Sequence, residues 1–192
     1  MKSIFISGSP RENVGKKDAK ATRTNGLVPC VLYGGKEQIH FSAIESQFKS
    51  LIYTPEVHTV DIDVAGIKYK AILQETQYHP ISDKLLHVDF LQVIEGKPIT
   101  IAIPVKVKGN SPGVRAGGKL MQKSRRLKVR ADFDKLPDFI EVDISAMEIG
   151  STIKIQSIKV EGLTFLEAPN VVVVAIVATR NTRQAEQDAA KK

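Results

Sequence analysis

Hydrophobic and polar residues alternate along most of this chain, with the period of half-buried strands. Val60, Ile62 and Val64 interleave with Thr59, Asp61 and Asp63, and Tyr69, Ala71 and Leu73 follow after Ala65-Gly66. Two alternating runs joined at a glycine turn predict a hairpin. Leu27 to Tyr33 is almost unbroken in its apolar character and ends in Tyr33-Gly34-Gly35. It predicts a buried strand that delivers one tyrosine at its end, with backbone free to approach a partner closely. One early segment has helical spacing: Ile44, Phe48, Leu51 and Ile52 share a face, with Ser42 and Glu45 in capping-box spacing ahead of them. The first part reads as strands with one helix, a small barrel.

The pattern changes character near Val93-Ile94-Glu95-Gly96-Lys97-Pro98. Beyond it Ile99, Ile101, Ile103, Val105 and Val107 alternate with Thr100, Ala102, Pro104, Lys106 and Lys108. Pro104 points to an edge strand or a bulge, because proline lacks a ladder donor. Leu127-Val129-Ala131, Ile140-Val142-Ile144 and Ile153-Ile155 repeat the alternation, and Val171 to Val177 is continuous and β-branched, as in a central strand. The domains expected are a barrel over residues 1–94, a second mostly β domain over 95–179, and a polar tail over 180–192, disordered in isolation. No internal repeat interrupts this organisation.

Composition narrows the partner. Of 192 residues 42% are hydrophobic, enough for packed cores, and the net charge of +7 favours a polyanion, meaning nucleic acid or an anionic membrane surface. Cys30 is the single cysteine, so no intramolecular disulfide forms, and no Cys/His cluster has zinc-ligand spacing. The apolar run after Met1 is too short for a signal peptide, and the longest run, Val171 to Ala178, is far below the ~20 residues that span a bilayer. A cytosolic protein without a membrane is expected. The charge is segregated: the 34 positions from Lys97 to Arg130 hold ten basic residues and no acidic one. A solvated strand face is the ordinary reading of a charge run, but one of this length without an acid points toward nucleic acid.

Catalytic motifs fail on context. Gly113 to Lys119 matches the phosphate-loop spacing, but Leu120 stands where a Ser or Thr should hold magnesium, and a strand pattern follows instead of a helix. Gly8 to Lys16 has two intervening residues too many. His79 and His87 flank a short loop, and His87-Val88-Asp89 sets an imidazole and a carboxylate on one side of a strand. No Ser or Cys in a nucleophile-elbow setting accompanies them. The pair equally suits a base edge or a ribose hydroxyl. Ahead of Tyr33 a loop carries Arg11, Lys16, Lys17, Lys20 and Arg23. Cations beside an exposed aromatic suit a phosphate backbone and a stackable base.

Arg11…Gly15-Lys16…Arg23…Gly26-Leu27-Val28-Pro29…Val31-Leu32-Tyr33-Gly34-Gly35, then Gln74…His79-Pro80…His87-Val88-Asp89-Phe90, resembles a family. It is that of the bacterial large-subunit ribosomal proteins that bind 5S rRNA. The match is to the long, two-domain form often called the general stress protein CTC family. Ser111-Pro112-Gly113-Val114…Gly117-Gly118-Lys119-Leu120 and Leu136-Pro137…Ile140-Glu141-Val142-Asp143-Ile144 are similar to its C-terminal β domain. The resemblance implies a six-stranded barrel with a short helix or two, like the anticodon-binding domain of glutaminyl-tRNA synthetase, docked on the loop E region of 5S rRNA. It implies that Arg11, Lys16, Lys20 and Arg23 meet phosphates, with Lys17 adding a further contact. Tyr33, Gln74, His87 and Asp89 would line the same RNA-facing surface. Lys20 stands where arginine is usual and cannot reproduce a bidentate guanidinium contact. No catalysis, cofactor, metal or small-molecule substrate is implied. Further partners are the large ribosomal subunit and, through the second domain, neighbouring ribosomal proteins. A free RNA-binding stress factor or chaperone using the same barrel is the alternative.

Overall fold

A computed structural model describes residues 2–180, so the expected tail lies, from residue 181 onward, outside the described residues. The chain divides into two compact units, Met1–Ile99 and Thr100–Lys192.

Six strands build the first unit: β1 (Lys2–Pro10), β2 (Leu27–Tyr33), β3 (Ile39–Ile44), β4 (His58–Val64), β5 (Ile67–Tyr78) and β6 (Leu85–Gln92). They close into a barrel in the order β1-β3-β2-β6-β5-β4, as the resemblance implies. Closure uses two parallel pairings, β1 with β4 and β2 with β6, and antiparallel ladders elsewhere. Alternation sorts the side chains: Val60, Ile62, Val64, Ala71, Val88 and Phe90 point into one core with Val28, Cys30 and Leu32 of β2. Phe41 and Phe48 stack against Phe90 with ring centroids 6.0 and 6.4 Å apart. The β4–β5 hairpin turns at Ala65 and Gly66, both at positive φ (54° and 85°), the type I′ geometry that matches strand twist.

Three local expectations change. The cationic segment is not a loop: Lys16–Thr24 is a helix, α1. The stripe at Ile44 to Ile52 is split, because Ile44 is the exposed end of β3 and Ser42 lies buried within that strand, caps nothing, and pairs with β1 and β2. Phe48 closes a 3₁₀ turn at Glu45–Phe48, and α2 (Lys49–Ile52) adds one turn that buries Leu51.

The second unit holds β7 (Ile99–Lys108, its first residue the last of the first unit), α3 (Pro112–Arg115), β8 (Lys119–Gln122), β9 (Arg126–Ala131), β10 (Ile140–Asp143), β11 (Thr152–Lys154), β12 (Thr164–Phe165) and β13 (Val172–Val177). They form two sheets, β10-β7-β9-β12 and β11-β13-β8, with β13 central as its unbroken apolar run predicts. Ile103, Leu127, Val129, Ile140, Val174 and Ile176 fill the interior. Pro104 sits in a central strand, not at an edge. Val105 donates its N–H to Arg125 on the β9 side, so position 104 faces the other way, where β10 begins only opposite Val105. Pro29 of β2 has the same solution, since pairing with β6 starts one residue later at Cys30.

Candidate nucleic-acid interface

Helix α1 has no apolar face and depends on anchors. Arg11 reaches it from beyond β1: its guanidinium pairs with Asp18 of the first helical turn, through Nε at 3.1 Å and a closer contact from Nη2. The Arg11 side chain is only 10% exposed and its backbone N–H donates to the carbonyl of His40, so it works as a clamp on the helix. Arg23 ties the other end, donating Nε–H to the carbonyl of Leu86 at 3.0 Å. Asp18 near the helix start and Arg23 near its end also complement the helix dipole. Asp18, Ala19 and Thr22 are half-buried, and α1 packs against β2. Lys16, Lys17 and Lys20 fall on the opposite, solvent arc, beside the exposed Arg23.

The outer surface of β2, β6 and β5 supplies directional groups. Val88 and Phe90 point into the core, so His87 and Asp89 point out, and His87 Nδ1 lies 2.6 Å from Asp89 Oδ1. That bond assigns the proton-donating role to Nδ1 and leaves Nε2 available to a ligand. The parallel register places Val31 beside Asp89 and Tyr33 beside Leu91. Tyr33 is half-buried rather than fully exposed. Burial, then the charges of Asp89 and Glu75, push its ionisation up, so the phenol remains a donor. Gly34 and Gly35 serve the barrel itself: a Cβ at Gly34 (φ +96°) would stand 2.6 Å from Leu91 Cδ1, and one at Gly35 2.0 Å from Gln92 Oε1. Their backbone packs closely against the side chains of Leu91 and Gln92 at the end of β6.

Across from β6, Glu75 stands opposite Asp89 and Gln77 opposite His87. The ladder shifts between Leu73 and Glu75, and the exposed Gln74 is the residue set at this bulge. The surface therefore brings together Tyr33, His87 and Asp89 with Glu75 and Gln77, the last two not foreseen. Arg11 is engaged within the fold, and Gln74 stands beside the set on its bulge. His79 is a turn residue, its Nδ1 accepting from the backbone N–H of Ser82 at 3.3 Å.

Two carboxylates on this face repel phosphates and accept from base amino groups or ribose hydroxyls. The cations of α1 do the reverse. Cationic and acceptor groups thus lie on separate, adjoining elements.

Residues 6–90 match the model of the ribosomal L25p family, and residues 98–180 that of the C-terminal domain of ribosomal protein TL5. The chain is 43% identical over 187 residues to a large ribosomal subunit protein bL25 of Porphyromonas gingivalis, covering 96% of this chain and 97% of that one. It is 44% identical over 192 residues to the bL25 of Cytophaga hutchinsonii, covering all of both. The bL25 of Christiangramia forsetii is 45% identical over 188 residues, 97% of this chain and 86% of that one.

Proposed function

The chain belongs to the ribosomal L25p family of bacteria, in the long form with a TL5-type C-terminal domain, and on that premise we propose that its barrel docks on 5S rRNA. It is a structural, non-enzymatic constituent of the large subunit of the cytoplasmic ribosome. The observation that carries the docking mode is the His87–Asp89 pair beside Tyr33, on a surface adjoined by the lysines of α1. Lys16, Lys17 and Lys20 capture phosphates. Tyr33, the Nε2 of His87 and the carboxylates of Asp89 and Glu75 then read groove edges and ribose hydroxyls. The irregular, non-Watson–Crick helix of loop E suits such reading, because its distorted grooves expose base edges that a regular A-form helix hides.

A gel-shift titration of 5S rRNA with the His87→Ala/Asp89→Ala variant tests this. Both side chains lie outside the core, so the fold should survive, and removing these directional charge-assisted hydrogen bonds weakens binding about tenfold or more. Lys16→Ala/Lys20→Ala acts differently, flattening the log–log salt dependence by about 0.7–0.9 for each phosphate that is no longer neutralised. Wild-type affinity in the first variant overturns the assignment of the reading face. Absence of 5S rRNA affinity in the wild type overturns the 5S docking altogether.

A further inference from the structure

The cations between β8 and the end of β9 take no part in the barrel surface. Leu127, Val129 and Ala131 of β9 are buried, and Arg126, Lys128 and Arg130 are exposed between them. Lys123 and Arg125, in the turn that enters β9, are exposed as well. The same sheet contains its own contrast. On the far side of β7, strand β10 sets Glu141 opposite Lys106 and Asp143 opposite Lys108. Lys108 Nζ lies 3.3 Å from Glu141, and the Lys106 ammonium stands 3.9 Å from the centre of the Phe139 ring. That half of the sheet neutralises itself.

The β9 half is less balanced at Lys123, Arg125, Lys128 and Arg130. Its other neighbour, β12, brings Thr164 opposite Arg130 and Phe165 opposite Val129, with no acid. Glu167, the carboxylate beside it, accepts the backbone N–H of Lys128 at 3.2 Å. Among the described residues Lys123, Arg125, Lys128 and Arg130 form no ion pair. Like charges crowded on one strand face repel one another, so this arrangement lowers the stability of the sheet that carries it. A face kept for solubility alone is served by mixed charges, as β7 and β10 show.

Alternate residues of a strand stand about 6.8 Å apart, close to the step between successive phosphates on an extended RNA strand. We infer that the exposed face of β9, with the turn before it, is a second RNA-contact surface that takes the phosphate backbone of ribosomal RNA. A regular polyanion fits this even spacing better than an acidic protein segment, whose charges are irregular. The inference does not depend on the 5S reading of the barrel.

The test uses the full chain and a 23S rRNA transcript free of 5S rRNA, in filter binding over a series of potassium chloride concentrations. Arg125→Ala/Lys128→Ala/Arg130→Ala should reduce the log–log salt slope by about two units, near 0.7 for each single-strand phosphate that is no longer neutralised. Arg125→Lys/Arg130→Lys should retain the slope. Thermal melts by circular dichroism verify that all three proteins are folded. An unchanged slope in the folded alanine variant overturns the proposal. The partner class is read separately, with a thiol-reactive photo-crosslinker on Arg130→Cys, since the native Cys30 is fully buried and its thiol pushed up by that burial. In large subunits reconstituted with this protein, cross-links to rRNA support the proposal, and cross-links to protein alone overturn it.

Discussion

Tyr33 holds its proton for three reasons, in order of size: burial removes water from the phenolate, Asp89 repels it, and Glu75 repels it further. The folded chain therefore keeps this proton over a range in which the unfolded chain, with an ordinary tyrosine pKa of about 10, releases it. The contribution to stability is fully present below the unfolded value and is lost as pH rises through the folded one. An alkaline absorbance titration of wild type against Tyr33→Phe should give a difference curve centred above the ordinary tyrosine range. A curve centred at or below about 10 contradicts the placement of Tyr33 among these carboxylates. Of this cluster, His87 and Asp89 were legible because residues two apart on a strand share a face. Glu75 and Gln77 were not, because their place depends on a cross-strand register that is displaced at the Gln74 bulge. The two glycines after Tyr33 were legible as a close approach, but not its nearest neighbours, the side chains of Leu91 and Gln92, which are set by the β2–β6 register.

At the scale of elements, strands were readable where burial alternates, strictly in β9 and over Val60 to Val64 of β4 and Ile99 to Ile103 of β7. Helix α1 was not, since Lys-Lys-Asp-Ala-Lys-Ala-Thr-Arg-Thr carries no apolar stripe and buries no residue completely. It is held by two guanidinium groups reaching from and to other elements, which no periodicity records. This gives Asp18 an unexpected weight. Simple electrostatics says that removing an acid from a cationic helix tightens RNA binding. The clamp says the opposite, because Asp18→Ala leaves the largely buried Arg11 guanidinium unpaired and releases the first turn of the helix. Asp18 is itself 39% exposed, so solvent softens the penalty, and a loss of about 1–2 kcal/mol is expected. Hydrogen exchange should show faster amides through α1, and 5S rRNA affinity should fall. Unchanged exchange with tighter binding would mean that the lysines alone decide.

For the whole molecule, the excess charge of +7 hides an internal order. The barrel sets exposed lysines on α1 and carboxylates on the adjoining strand face, while the second unit balances charge along β7 and β10 and, among the described residues, leaves Lys128 and Arg130 of β9 without ion pairs. The two proposed RNA surfaces lie on two units, each with its own core, so their contributions should be separable, and stability should be perturbable in one without touching the contacts of the other. Leu127 is 0% exposed in the second unit, and truncating such a leucine costs about 2–5 kcal/mol, depending on how far the cavity collapses. Leu127→Ala should therefore lower the melting temperature of the second unit and weaken binding to 5S-free 23S rRNA as the β9 face loses its geometry. At a temperature where that unit is largely unfolded, the gel shift of 5S rRNA should keep its wild-type midpoint, because Tyr33, His87 and the α1 lysines rest on the barrel core. Parallel loss of 5S affinity and of the second unit's fold would mean that the barrel cannot present its surface alone, and the two-domain reading of the chain would have to be abandoned.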